Sequence, residues 1–183
     1  MNEVQPIRDV HHINAMKKAL HGRDLLLFIF GINSGLRISD ILKLKVGDIR
    51  AKDSIVIRET KTGKPKRFIF NQSIKTSVKQ LIPADATDEE YVFKSRKGAN
   101  QPISRVAAYR ILNDAANRAG VADKIGAIGT HTMRKSFGYH AYNNGTDLAL
   151  LQSIFNHSSQ SVTLKYIGIN QDRIDEVYAN INL

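Results

Sequence analysis

The sequence predicts an α+β domain, mostly helical, with one small antiparallel β-hairpin. Three observations carry this. Most of the 183 residues show apolar positions three and four apart, the spacing of helices with one buried face. A single stretch, 54–70, instead alternates apolar and polar residues around a turn-rich centre. Composition is 42% hydrophobic and 24% charged, the balance of a chain able to bury one core.

The elements follow in order. Asp9 is placed to cap a helix through Ile13, Met16 and Leu20 that ends at Gly22. Asp24 to Asn33 is apolar all round, the mark of a buried helix, and stops at Ser34-Gly35. A third helix is expected from Ser39 to Lys45, turning Ile38, Ile41, Leu42 and Leu44 inward. In the hairpin, Ile55, Ile57, Phe68 and Phe70 alternate with polar residues about Thr60-Lys61-Thr62-Gly63-Lys64-Pro65. Helical spacing returns at Ile74–Ile82, Ser104–Ala119 and Thr130–Asn143, the last two closed by Gly120 and Asn144-Gly145. Asp147 caps a short helix to Phe155, and a final pair covers Ser161–Ile167 and Asp172–Ile181. No repeat, low-complexity tract or linker interrupts the chain, so 1–183 reads as one domain.

Charge narrows the partner. Lys and Arg number 27 against 17 Asp and Glu, a formal +10. The excess clusters. Residues 94–110 hold five bases (Lys94, Arg96, Lys97, Arg105, Arg110) and no acid, and residues 41–70 hold nine against three. Clustered bases at a pI near 9.9 are the footprint of a polyanion. Lys43, Lys45, Lys64, Lys66, Arg67, Arg96, Lys97 and Arg105 are the candidate phosphate contacts. There is no apolar run of 18 residues and no signal-peptide pattern at the N-terminus, so no membrane association is expected and the cytoplasm is the expected compartment. The absence of cysteine removes disulfides, thiolate metal sites and cysteine nucleophiles together.

Three sets of residues can carry chemistry. Arg37, in Gly35-Leu36-Arg37-Ile38-Ser39, stands at a helix mouth, where a guanidinium can grip phosphate bidentately. Alone, such an Arg between apolar neighbours is better read as an ordinary snorkelling side chain. His131 and Arg134 lie three apart and share a helix face, forming a clamp for phosphate oxygens or simply a polar surface pair. His157 is followed nine residues later by Tyr166, with Ser158, Ser159 and Ser161 supplying turns and caps. A lone Tyr among six proves nothing.

In combination these pieces say more. The order Arg37, hairpin lysine, His131-Thr132-Met133-Arg134, His157, Tyr166 resembles the catalytic domain of the tyrosine recombinase (phage integrase, Xer-like) family over nearly the whole chain. Family members usually carry a separate helical DNA-clamping domain ahead of this region; Met1 stands almost at the start of the catalytic domain, so a fragment or a stand-alone catalytic domain is expected. Asn156 stands where the family often has Gly before the histidine. The resemblance implies a site-specific recombinase that cleaves and rejoins duplex DNA. Tyr166 would be the nucleophile, leaving a 3′-phosphotyrosyl link. Arg37 and Arg134 would neutralise the non-bridging oxygens, and His131 and His157 would donate hydrogen bonds or relay the phenol proton. Lys61, rather than Lys64 or Lys66, would protonate the leaving 5′-oxygen. It implies no cofactor and no metal, and self-association into a tetrameric synapse. Residues 170–183 form an amphipathic helix, with Ile174, Val177, Tyr178 and Ile181 on one face, that could dock on a neighbour. A type IB topoisomerase uses the same chemistry without strand exchange, and a non-catalytic DNA-binding regulator would share the charge but has no need of the phenol.

Overall fold

The computed structural model describes residues 4–169 and 171–182, without the side chains of 171–174 and 176. Asp9 accepts from the His11 N–H (2.7 Å) and starts α1, Val10–Ala19, which buries Ile13 and Met16. Helix α2, Gly22–Ser34, is buried along Leu26, Leu27, Phe28 and Phe30. It packs between α5 (Gln72–Leu81) and α8 (Thr132–Asn143). Gly35 ends α2 in the left-handed conformation (φ 60°), and a Cβ there would meet the Phe137 ring at 2.5 Å. Both constraints require glycine at the entrance to the Arg37 segment.

The helix expected over 39–45 ends early, as α3 (Ile38–Ile41), and a separate helix that was not expected, α4 (Val46–Ile49), follows it. The break is imposed from outside. The Val92 N–H donates to the Leu44 carbonyl and the Val46 N–H to that of Glu90, stretching 44–46 into bridge geometry against 90–92. Asp48 then accepts from the Lys45 N–H (2.8 Å) and restarts the helix. A further turn, α7 (Ala122–Ile125), also went unanticipated.

Strands β1 (Ser54–Arg58) and β2 (Pro65–Ile69) pair antiparallel with Ile55 opposite Phe68 and Ile57 opposite Lys66. The inner face delivers Phe68 and the following Phe70 edge-on to Phe30, with ring centroids 5.6 and 6.0 Å apart. Val56 and Ile69 point outward. Asn71 caps α5 through the Ile74 N–H, and Ser104 caps α6 (Arg105–Arg118), which lies on α1.

Two apolar clusters result. The larger joins α1–α6 with the inner face of the hairpin. The smaller holds Leu151, Phe155 and Ile167, packed with Phe137, Ala141, Tyr142, Ile154, Tyr166 and Ile169. It unites α8 with α9 (Leu148–Phe155, capped by Asp147) and α10 (Gln160–Ile167, capped by Ser159). The last helix, α11 (Gln171–Asn180), leaves Val177, Tyr178 and the following Ile181 exposed; the Ile174 side chain, expected on the same face, lies outside the described residues. Among the described residues no helix is long and apolar enough to cross a membrane.

Candidate active site

All six residues expected to carry chemistry gather where the two clusters meet. Arg37 precedes α3, Lys61 sits on the hairpin turn, His131 and Arg134 open α8, His157 follows α9 and Tyr166 lies near the end of α10. Arg37, Lys61, Arg105, Thr130, His131 and Arg134, with Ile38 and Ser39, line a cavity of about 320 Å3. His157 borders another cleft, with Lys64 and Asn156.

Arg134 is buried and held from behind. Its Nη1 donates to the Gly35 carbonyl and its Nη2 to the Phe155 carbonyl (2.9 Å), while the guanidinium stacks 4.6 Å from the Phe155 ring centre. Two fixed carbonyls aim the remaining N–H groups and tie α8 to both the α2–α3 junction and α9. Arg37 is anchored differently, with Nη1 2.9 Å from Oε1 of Glu59.

The phenol oxygen of Tyr166 lies 3.1 Å from Nδ1 of His131. Burial raises the phenol above its ordinary pKa, against the charge and hydrogen bond of Arg134 and the charge of Arg37. Partial burial and then Arg134, Arg105, Lys135 and Arg37 hold His131 below its ordinary value. The direction of this bond follows the imidazole tautomer: with the ring proton on Nε2, the phenol donates and Nδ1 accepts.

His157 is set by α10. The Thr163 hydroxyl donates to the Ser159 carbonyl (3.2 Å), so its oxygen accepts from Nδ1–H of His157 (3.1 Å), leaving Nε2 free. Burial, Arg134, Arg37 and Lys61 push His157 down to about 4. The ring lies 4.9 Å from that of Tyr166 without bonding its oxygen, so the two histidines are not equivalent.

Among the expected phosphate contacts, Lys43, Lys64, Arg67, Arg96, Lys97 and Arg105 are exposed, though Lys43 reaches Thr60 Oγ1 (3.1 Å) and Arg105 lines the cavity. Lys45 faces solvent but is paired with Glu89 at 2.6 Å. Lys66 departs from expectation. Register places it on the inner face, where Nζ donates to the Ile154 carbonyl (2.7 Å) and stands 4.0 Å from Glu59. Burial, followed by the charge of Arg134, lowers it to about 8 despite the attraction of Glu59.

Sequence reasoning also missed Glu59, Asn156 and Thr163. Glu59 and Lys66 carried a signal: each continues the inward alternation of Ile55-Ile57 or Phe68-Phe70. Asn156 adopts the left-handed conformation (φ 52°), so the turn keeps the shape that Gly would give it at this position.

The phage integrase family model matches residues 4–173, and the chain belongs to that family. It is 46% identical over 181 residues to the probable integrase/recombinase YoeC of Bacillus subtilis, covering 97% of each. Tyrosine recombinase XerA of Pyrococcus furiosus is 28% identical over 163 residues, which are 88% of this chain but 55% of that one. The crystal structure of XerA recombinase superposes with a TM-score of 0.77 at 20% identity, covering 100% of this chain and 67% of that one, and so shares its fold. The chain thus spans nearly all of the first relative and little more than half of the second.

Proposed function

We propose that this chain is the catalytic domain of a site-specific DNA recombinase that cuts and rejoins duplex DNA through a 3′-phosphotyrosyl link on Tyr166. The contact between the Tyr166 phenol and His131 Nδ1, beside two anchored guanidiniums, is the observation that carries this reading. A half-buried phenol has no structural need of a base and two cations around its oxygen. A nucleophile attacking a phosphodiester needs both.

The roles follow from the geometry. His131 takes the phenol proton as Tyr166 attacks phosphorus. The new bond joins phosphorus to the phenol oxygen, and the bond to the 5′-oxygen breaks. Arg37 and Arg134 balance the charge that builds on the non-bridging oxygens, and the free Nε2 of His157 faces the same phosphate once protonated. Lys61 gives its proton to the departing 5′-oxygen. One phosphodiester replaces another, so the stored bond drives rejoining by a 5′-hydroxyl.

Duplex DNA is the proposed substrate and the cytoplasm the proposed compartment. We take the whole chain as this one domain. The exposed Val177, Tyr178 and Ile181 support assembly of several copies on DNA, which favours strand exchange over simple relaxation.

The test is a nicked duplex that loses a short fragment on cleavage, trapping the covalent adduct. Adduct mapped to Tyr166 is the expected result; no adduct on any recombination-site duplex refutes it.

A further inference from the structure

The proposed roles use six residues, yet the site's best-connected group is none of them. The Glu59 side chain is 0% exposed. Its Oε2 accepts from the Thr62 hydroxyl (2.8 Å) and from Nδ2 of Asn156 (2.7 Å). Its Oε1 lies 2.9 Å from Nη1 of Arg37, though without hydrogen-bond alignment, and 4.0 Å from Nζ of Lys66. The backbone of Glu59 also closes the turn, donating to the Lys64 carbonyl (3.0 Å) and accepting from the Gly63 N–H (2.8 Å).

We propose that Glu59 is the positioning residue of this site, its carboxylate locking the Lys61 turn and the Asn156–His157 turn onto Arg37 as one rigid set. Three chain segments far apart in sequence meet on one carboxylate. The hairpin is a two-stranded sheet, an element with little stability of its own. A lysine at its tip is held in place only if the tip is fastened, and the fastening observed is Thr62 to Glu59 to Asn156. Asp40 adds a second fastening, accepting from the Thr60 N–H (2.8 Å).

Asn156 makes the case specific. Its left-handed backbone is a conformation Gly adopts at least as readily, so the turn alone gives no reason for Asn. What Gly lacks is the amide that donates to Glu59. A buried charge is costly unless paired and hydrogen-bonded, and here the pairing partners are the turns that bear Lys61 and His157 and the guanidinium of Arg37.

This inference rests on the strand-cleavage reading, and the experiment separates the two. Asn156→Gly keeps the turn and removes only the amide; Glu59→Gln removes the charge. In the full chain, Asn156→Gly should slow adduct formation on the nicked duplex by roughly tenfold to a hundredfold, the usual loss for misplaced reacting groups. A 5′-phosphorothiolate, whose sulfur leaves without a proton, should restore most of that loss. Glu59→Gln should be restored only in part, because Arg37 is disturbed as well. Amide exchange at 60–64 should quicken in both variants while α2 and α8 stay protected. Wild-type cleavage together with unchanged exchange at 60–64 overturns the proposal, as does a loss the phosphorothiolate leaves untouched in Asn156→Gly. Absence of adduct in the wild type overturns the strand-cleavage reading instead, and exchange at 60–64 then still decides whether Glu59 fastens the turn.

Discussion

Nδ1 of His131 and the phenol oxygen of Tyr166, 35 residues apart in sequence, stand 3.1 Å from each other. In the proposed mechanism this contact sets the base beside the nucleophile before any substrate is present. Since Tyr166→Phe deletes only the hydroxyl and keeps the ring in the Phe155 cluster, it should bind DNA as wild type and form no covalent adduct. Trapping on nicked duplex followed by peptide mapping checks this. An adduct surviving on the exposed Tyr178 would move the nucleophile.

The guanidiniums should separate by what else they hold. Arg37→Ala and Arg134→Ala should each slow cleavage by about 10²-fold or more, the usual loss for one transition-state donor. Arg134 also ties the Gly35 and Phe155 carbonyls together; its removal strips the Gly35 carbonyl of this donor, at a cost of about 1–3 kcal/mol, and leaves the Phe155 carbonyl only the long contact from Arg37 Nη2 (3.5 Å). Urea denaturation should therefore show Arg134→Ala clearly less stable than wild type. A stable Arg134→Ala variant, or one that cleaves within a few-fold of wild type, contradicts this account.

Lys61 faces the cavity and Lys66 does not reach it as a free cation, being bonded to the Ile154 carbonyl. Lys61→Ala should lose cleavage of ordinary duplex and regain it on a 5′-phosphorothiolate. Lys64→Ala, on the outer cleft, should cleave both substrates alike. Rescue of Lys64→Ala in place of Lys61→Ala would transfer the acid role.

How far the sequence reached can be read from particular residues. Caps at Asp9, Ser104, Asp147 and Ser159 are local, depend on the next two or three residues, and make helix starts legible, whereas the Asn71 cap went unread and α5 begins two residues before the expected Ile74. The break at 42–45 was not legible, because the strand-like partner that imposes it lies at 90–92 and has no periodic signature of its own. All six expected site residues converge, their types and order being distinctive together. Charge misled at Lys66. Counting it among surface bases ignored its parity with Phe68 and Phe70, which turns it and Glu59 toward the interior. Thr163, whose hydroxyl selects the His157 tautomer, gave no signal, since a buried threonine on a helix is ordinary.

His157 should leave a mark on acid stability. Unfolded, its imidazole titrates near 6.5; folded, near 4. At pH 7 the folded imidazole is neutral and the unfolded one only about a quarter protonated, so the group contributes little. As pH falls through 6.5 the unfolded chain binds the proton first, so stability declines until about pH 4 and no further. His157→Asn removes this contribution. Denaturant midpoints at pH 7 and pH 5 should therefore fall less in His157→Asn than in wild type, against the common background of carboxylate protonation. Equal declines in the two proteins would show that His157 titrates normally.

The salt dependence of DNA binding should sort the basic residues by where they point. Arg96 and Lys97 are exposed on the loop ahead of α6, whereas Lys66, from an equally basic stretch, is turned inward and bonded. Each phosphate contact releases counterions worth about 0.9 in the slope of log K against log salt. If both residues touch phosphate, neutralising Arg96 and Lys97 together should flatten that slope by about 1.8 on any duplex. Lys66→Met should leave the slope unchanged while altering cleavage, because its charge lies next to Glu59 rather than on the phosphate track. Titrations of wild type, the double variant and Lys66→Met on two unrelated duplexes decide the matter. A slope that flattens in Lys66→Met but not in the double variant would place the DNA against the inner end of the hairpin and remove the 94–110 cluster from the interface.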